Sequence, residues 1–104
     1  PDDSRAIVRK WLEDYKAKYG KYPGSPAQLG YIGADLTVMG LDRAGRNLTV
    51  EGLVKALESI KGYKDIFGGP VQNFSADNHR GTTASILYQV KKGRWVKQTG
   101  PLAY

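Results

Sequence analysis

The stretch FGGPVQNFSADNHRG, from Phe67 to Gly81, divides the chain into two parts of different character. The residues before it show helical spacing, and those after it alternate as in a β-hairpin, ILYQV–KKG–RWVKQ (86–98). It also contains the only histidine of the chain, His79. This connecting stretch therefore joins a helical part to a strand part, and its role governs how the whole chain is interpreted.

The N-terminal segment predicts an amphipathic helix. Asp2, Asp3 and Ser4 are suited to a helix start, because negative charge favours the positive end of the helix dipole. Gly20 and Pro23 predict its end. The apolar residues recur at helical spacing on one face: Ile7, Val8, Trp11, Leu12, Tyr15 and Tyr19.

A second helix is predicted from Ser25-Pro26, with an N-cap serine and proline in the first turn, to Gly45. Between Ala27 and Ala44 the residues are apolar or small around most of the circumference, which is typical of a buried helix. Gly30, Gly33 and Gly40 each cost up to ~1 kcal/mol in a helix interior. We therefore expect another backbone to approach this helix closely.

Thr49 is expected to cap a third helix that ends at Gly62. The connecting stretch then predicts a short strand through Val71 and Phe74 and a turn at 75–78. Lys92-Gly93 predicts the turn of the hairpin, and Pro101 the end of regular structure. The apolar stripe of the third helix is narrow: Val50, Leu53, Val54, Leu57 and Ile60.

These elements form an α+β inventory: three helices, a crossover strand and a β-hairpin. A two-stranded hairpin is marginal on its own, and the second helix needs neighbours on both sides. The sequence therefore predicts one fragment of a larger α/β protein. Alone, the chain is expected to replace the missing contacts by forming a homo-oligomer or an element-swapped dimer.

The 16 basic and 10 acidic residues give a net charge of +6, which raises the alternative of a small basic nucleic-acid-binding domain. Interleaved lysines and tyrosines between Tyr15 and Tyr22 fit stacking on bases, but helical spacing favours packing of those rings at the core edge. The remaining lysines are scattered over different elements. We therefore expect no nucleic-acid partner.

Catalysis and metal binding find little support in the residue types. His79 with Asp77 and Ser75 or Ser85 supplies the groups of a hydrolase triad, but no nucleophile-elbow sequence is present. The chain has no cysteine, so one histidine cannot form the usual zinc sites. We predict a non-enzymatic protein without metal or cofactor, and a His79 ring that hydrogen-bonds the backbone.

Several blocks, taken in order, resemble a known family. They are WLEDYKAKYGKYPGSPAQLGYIGADL (11–36), LDRAGRNLTVEGLVKALESIKGYKDIFGGPV (41–71), FSADNHRG (74–81) and ILYQVKKGRWV (86–96). They are similar to the C-terminal portion of type I periplasmic substrate-binding proteins, most closely the branched-chain amino-acid type of ABC transporter receptor. The likeness covers nearly the whole chain.

The resemblance implies an α/β family fold of two lobes joined by three crossover strands, with ligand in the cleft between them. Residues 1–74 would form the helical part of the first lobe and lead into the crossover. Residues 75–104 would form the crossover and the C-terminal hairpin of the second lobe. The implied activity is delivery of amino acids, amides or aromatic acids to ABC permease subunits, in the periplasm or outside the cell.

The resemblance also implies site residues. Gln28 and Tyr31 lie where family members line the cleft, although Ile32 stands where many relatives have Asp. Asn78, His79 and Gly81 would serve backbone geometry and hinge hydrogen bonds in the crossover.

Overall fold

The computed structural model describes residues 3–46 and 48–104. Three helices come first, followed by four strands in two separate antiparallel sheets, in which the first strand pairs with the fourth and the second with the third. The predicted α+β content is thus confirmed. The elements are α1 (Ala6–Tyr19), α2 (Ser25–Ala44), α3 (Val50–Glu58), β1 (Ala84–Ser85), β2 (Tyr88–Lys91), β3 (Arg94–Lys97) and β4 (Leu102–Ala103).

Three helix boundaries are as predicted from local signals. The Thr49 hydroxyl accepts the backbone N–H of Gly52 at 3.0 Å and caps α3. Gly20, in the left-handed conformation, ends α1, and its N–H is donated to the carbonyl of Lys16 at 2.8 Å. Gly45 follows the last residue of α2.

The other boundaries differ from the prediction. Arg5 is the N-cap of α1, because Asp3 accepts the Arg5 backbone N–H and forms a turn before the helix; Asp2 lies outside the described residues. Gly24, rather than Ser25, is the N-cap of α2. α3 ends at Glu58, since from Ile60 onward the backbone bonds to the connecting stretch instead, with the Ile60 carbonyl accepting the Phe74 N–H at 2.9 Å.

The apolar core is small. α2 contributes to the buried residues only through Gly40, so the expectation of a buried second helix is wrong for this chain. Leu29 and Val38 on α2 are 71% and 65% exposed, because α3 covers only one side of the helix. The buried apolar side chains are Val8, Leu12, Ala56, Ile60 and Tyr63.

The three α2 glycines also differ from each other. A Cβ at Gly30 or Gly33 would meet nothing within 4 Å, so the expected close approach does not occur there. A Cβ at Gly40 would lie 2.6 Å from Cδ2 of Leu57, so α3 packs closely on α2 at this position alone of the three. The close neighbour is a side chain rather than a backbone.

The connecting stretch is not a strand. Among the described residues between α3 and β1, pairing is limited to the single bridges Tyr63↔Gln72 and Ser75↔Asn78. Neighbouring residues bond in different directions: Asn73 donates its N–H to the Gly81 carbonyl, and Phe74 donates to that of Ile60. Gln72 exchanges two hydrogen bonds with Tyr63, but Phe74 bonds to Ile60 rather than to the Lys61 carbonyl, so the register shifts by one residue and no continuous ladder forms. The strand predicted through Phe74 is therefore wrong.

The hairpin and its turn at Lys92-Gly93 are confirmed, and the register places Tyr88 opposite Lys97 and Lys91 opposite Arg94. Lys92 and Gly93 both have positive φ, 51° and 74°, as the two-residue type I′ turn requires. The predicted end at Pro101 is wrong, because β4 follows it and pairs with β1.

The chain is more extended than a compact monomer of its size. Its radius of gyration is 16.1 Å, against about 13 Å for a compact domain of this length. Its accessible surface is 7688 Å², whereas a monomer of this mass exposes about 5,800 Å². About 1,900 Å² of surface is thus uncovered beyond the ordinary amount.

Candidate functional site

Tyr31 lies at a junction of three rings from three parts of the chain. Its ring centroid is 5.8 Å from Trp11 of α1 and 5.6 Å from Phe67 of the connecting stretch, and those two are 4.9 Å apart. All three contacts are edge-to-face, the favourable geometry for aromatic quadrupoles. This aromatic junction (Trp11, Tyr31, Phe67) fixes α1 and α2 against the start of the connecting stretch.

Gln28 lines a wide groove of 800 Å³ beside the aromatic junction. The walls come from the starts of α1 and α2, the segment 65–70 and the hairpin, with Phe67, Tyr88 and Trp95 as aromatic members. Its volume lies in the range of about 300–1,000 Å³ that small-molecule sites occupy. Of the two predicted ligand-binding residues, Gln28 is therefore placed at a groove of suitable size.

Tyr31 faces a different space from Gln28. It lines a shallow cleft of 530 Å³ with Trp11, Tyr15 and Ala27, while Phe67 lines the wide groove. The structure therefore places the two predicted ligand residues on the same helix but does not bring them together around one cavity.

The wide groove contains three charged groups. Arg5 donates from Nε and Nη2 to the two carboxylate oxygens of Asp3, at 2.9 and 2.5 Å. These hydrogen bonds lower the pKa of Asp3 to about 2 and raise the pKa of Arg5. The Asp65 carboxylate accepts the backbone N–H groups of Phe67 and Gly69 at 2.7 and 3.3 Å. The groove thus offers carboxylate, guanidinium and aromatic surfaces to one ligand.

His79 pairs with a carboxylate rather than with the backbone, so the expected backbone hydrogen bond is wrong. Its Nε2 lies 2.9 Å from Oε1 of Glu58 at the end of α3, and the side chains of His79 and Glu58 are 66% and 21% exposed. The contact fastens the connecting stretch to α3. The half-buried carboxylate of Glu58 explains this contact, because its negative charge needs a polar partner.

A second, narrow groove of 350 Å³ lies beneath this pair, between α2 and α3. Gly33 lies where the groove is open, whereas Gly40 lies where Leu57 closes the space between the helices. Its walls are mostly apolar: Gly33, Leu36, Val54, Leu57 and Phe74, with Thr37, Glu58 and His79 as the polar members.

Asn78 and Gly81 fix the backbone of the turn that follows Phe74. The Asn78 amide oxygen accepts the Arg80 N–H at 2.9 Å, and Asn78 and Ser75 exchange backbone hydrogen bonds of 3.0 and 3.1 Å. Gly81 is buried with φ of 81°, and a Cβ there would lie 2.9 Å from the Phe74 ring. These contacts are geometrical requirements of the turn, and the hinge role of Asn78, His79 and Gly81 stays a prediction.

The contact between Tyr63 and Asp35 was not predicted from the sequence. The hydroxyl of the buried Tyr63 donates to Asp35 of α2 at 2.8 Å. Burial and this hydrogen bond raise the pKa of Tyr63 above its ordinary value of 10.0. A signal was available: Asp35 is an isolated carboxylate between apolar neighbours, and such a group needs a nearby donor.

The tyrosines and lysines around the end of α1 contact each other. Nζ of Lys16 lies 4.5 Å from the ring centroid of Tyr22, and the Tyr22 hydroxyl donates to Glu13 at 2.9 Å. The Tyr15 and Tyr19 rings are 4.5 Å apart, with Tyr15 half-buried and Tyr19 exposed. These contacts give the rings a packing role on this part of the surface.

Comparison with protein families identifies the class. The family model described as periplasmic binding protein matches residues 1–94, and the chain belongs to this family. Searches of curated proteins and of solved structures returned no match. In the part of the chain that the structure describes, no helix combines the length and the apolarity needed to cross a membrane.

Membership supports a solute-binding receptor, since the family is a class of binding proteins rather than of enzymes. It also supports a small-molecule ligand and a periplasmic setting. Within residues 3–46 and 48–104, no three acidic or histidine side chains come close enough together to hold a metal ion.

Proposed function

We propose that the chain is the C-terminal portion of a two-lobe receptor of the type I, branched-chain amino-acid class, which delivers amino acids or related small molecules to an ABC transporter. The family match over residues 1–94 carries the proposal. Residues 1–74 supply helices of the first lobe, and 75–104 supply the crossover and the hairpin of the second. The receptor works in the periplasm or at the outer cell surface and docks on permease subunits.

The large exposed surface supports the proposal that this chain is part of a larger receptor. The chain leaves about 1,900 Å² uncovered beyond what a monomer of its mass exposes. The outer side of α2 and the hairpin contribute apolar residues to it, Leu29, Val38 and Trp95 among them. Two α/β lobes that enclose these elements would bury this area, which accounts for an apolar helix that α3 covers on one side only.

The ligand site is assigned to the wide groove, with Gln28 as the polar contact and Tyr31 behind its wall, where it packs against Phe67. Gln28 is exposed on the first turn of α2 and lines the groove. The ring centroid of Tyr31 lies 5.6 Å from that of Phe67, and Phe67 lines the groove. Closure of the second lobe over this groove would bury the ligand, and the connecting stretch is the segment that bends.

Calorimetric titration tests the proposal with the receptor encoded by the complete parent reading frame. A panel of amino acids, amides and aromatic acids is titrated, and at least one class is expected to bind with 1:1 stoichiometry. Gln28→Ala is expected to weaken that ligand several-fold, since a lost hydrogen bond is worth about 0.5–1.5 kcal/mol.

Tyr19→Ala serves as the control, because Tyr19 is exposed on α1 and lines the shallow cleft rather than the wide groove. Its affinity is expected to equal that of the unchanged receptor. A reading frame without upstream α/β lobes, or a receptor that binds no member of the panel, overturns the proposal.

A further inference from the structure

The hairpin has two outer strand edges, and the edge of β2 is the more apolar of the two. Lys91 and Arg94 flank the two-residue turn and form a hydrogen-bonded pair, as do Gln89 and Val96 two positions further. The intervening residues of β2, Tyr88 and Val90, consequently direct their backbone N–H and C=O groups away from β3. In the described part of the chain, no third strand joins this sheet.

The side chains beside this edge form a largely apolar face. Tyr88 and Val90 project to the same side of the sheet, and so do their cross-strand partners, Lys97 and Trp95. Val90 is 54% exposed and Trp95 74% exposed. An unpaired edge next to exposed apolar side chains is a template for adding another strand.

The edge of β3 is less suited to pairing. Its outward-directed residues are Trp95 and Lys97, and the strand begins at Arg94. Charged side chains along an edge, lysine above all, oppose the approach of another strand. β2 has its one charged residue, Lys91, at the turn end.

The uncovered area is larger than the area that one copy contributes to a typical interface. A stable protein–protein interface buries about 1,600 Å² in total, half of it from each partner. About 1,900 Å² of excess surface on one chain exceeds the share that such an interface takes from it. A dimer of this chain therefore has enough surface to bury.

We propose that two copies of the chain pair through their β2 edges around a two-fold axis at Gln89. Tyr88 of one copy then lies opposite Val90 of the other, and the four strands form one antiparallel sheet in the order β3-β2-β2-β3. The interface is isologous, because the same edge serves both copies. The inference concerns the 104-residue chain alone, and its failure would leave the receptor proposal standing.

Sedimentation equilibrium of the 104-residue chain from micromolar to submillimolar concentration tests the proposal. A monomer–dimer equilibrium is expected, strengthened by added NaCl because each copy carries a net charge of +6. Val90→Pro removes an outward N–H and is expected to raise the dimer dissociation constant at least tenfold. Lys97→Pro removes an outward N–H from the β3 edge and is expected to leave it unchanged.

Circular dichroism shows whether proline unfolds the hairpin. If it does, a second pair of variants tests the proposal. Val90→Lys and Val96→Lys add the same charge to opposite strands while both keep their backbone N–H. The first is expected to abolish the dimer and the second to retain it. A chain that stays monomeric throughout, forms only larger aggregates, or responds equally to β2 and β3 variants contradicts the proposal.

Discussion

At the scale of single residues, Gly40 provides a sharp test of how α2 meets α3. A Cβ at this position would lie 2.6 Å from Cδ2 and 3.0 Å from Cγ of Leu57. Gly40→Ala is therefore expected to lower the free energy of unfolding, because overpacking costs about 1–3 kcal/mol and the better helix propensity of alanine offsets only up to ~1 kcal/mol of that. Urea unfolding followed by circular dichroism measures the change.

Gly30→Ala is the matched control on the same helix, because nothing lies within 4 Å of its added Cβ. Alanine is the better helix former, so this variant is expected to gain up to ~1 kcal/mol. Equal effects of the two substitutions would show that the helices do not pack at Gly40.

The raised pKa of Tyr63 predicts that the free energy of unfolding decreases at alkaline pH. Its pKa is raised in the folded state by burial and by the hydrogen bond to Asp35. The unfolded chain ionises at its ordinary value of 10.0 while the folded chain keeps the proton. The stabilising contribution is thus complete below pH 10 and is lost as the pH rises further.

Tyr63→Phe removes both the hydrogen bond and this titration. The variant is expected to lose about 1–3 kcal/mol at pH 7, because Asp35 loses its donor, and to show a flatter decline in stability above pH 10. Tyr104→Phe, at an exposed position, is expected to match the parent chain. Urea unfolding at both pH values tests this, and an unchanged alkaline slope in Tyr63→Phe would contradict the assignment.

Residue-level prediction worked where the signal was local. Thr49 caps α3 through a residue three positions away, and Gly20 ends α1 through its own conformation. The His79–Glu58 and Tyr63–Asp35 contacts join residues 21 and 28 positions apart. Such contacts depend on how the elements pack, which a single sequence does not encode locally.

At the scale of elements, the hairpin and the helices follow from periodicity, but the burial of α2 does not. The apolar circumference of α2 predicts neighbours on all sides, and α3 covers one side only. The hydrophobic pattern of a helix indicates which of its faces are to be buried. It does not indicate which segment of this or another chain covers them. The wide groove could not be predicted either, because it is formed by residues from both ends of the chain.

His79→Ala tests the connecting stretch as an element in the complete receptor. His79 fastens this stretch to α3 through Glu58, away from Gln28 and the wide groove. The substitution is expected to reduce ligand-induced compaction, measured by small-angle X-ray scattering at saturating ligand. Saturation itself should still be reached, since no contact to the ligand is removed.

Gln28→Ala is the matched comparison, with weaker affinity and full compaction at saturation. A His79→Ala receptor that compacts normally, or one that binds no ligand at any concentration, would contradict a hinge role. The isolated His79–Glu58 pair contributes little to stability, about 0–1 kcal/mol, because His79 is exposed.

At the scale of the whole molecule, the chain is extended and leaves a large surface exposed. The radius of gyration of 16.1 Å and the surface of 7688 Å² both exceed the values for a compact monomer. Membership of the periplasmic binding protein family supports a receptor that holds its ligand, and the chain provides one wall of the proposed cleft. An open wall buries too little of a small ligand to bind it strongly.

Calorimetric titration of one ligand panel into the complete receptor and, in parallel, into the 104-residue chain tests whether one wall of the cleft is enough to bind the ligand. We expect saturable 1:1 binding by the receptor and no heat of binding by the chain alone at micromolar concentration. Micromolar binding of leucine by the isolated chain would contradict it.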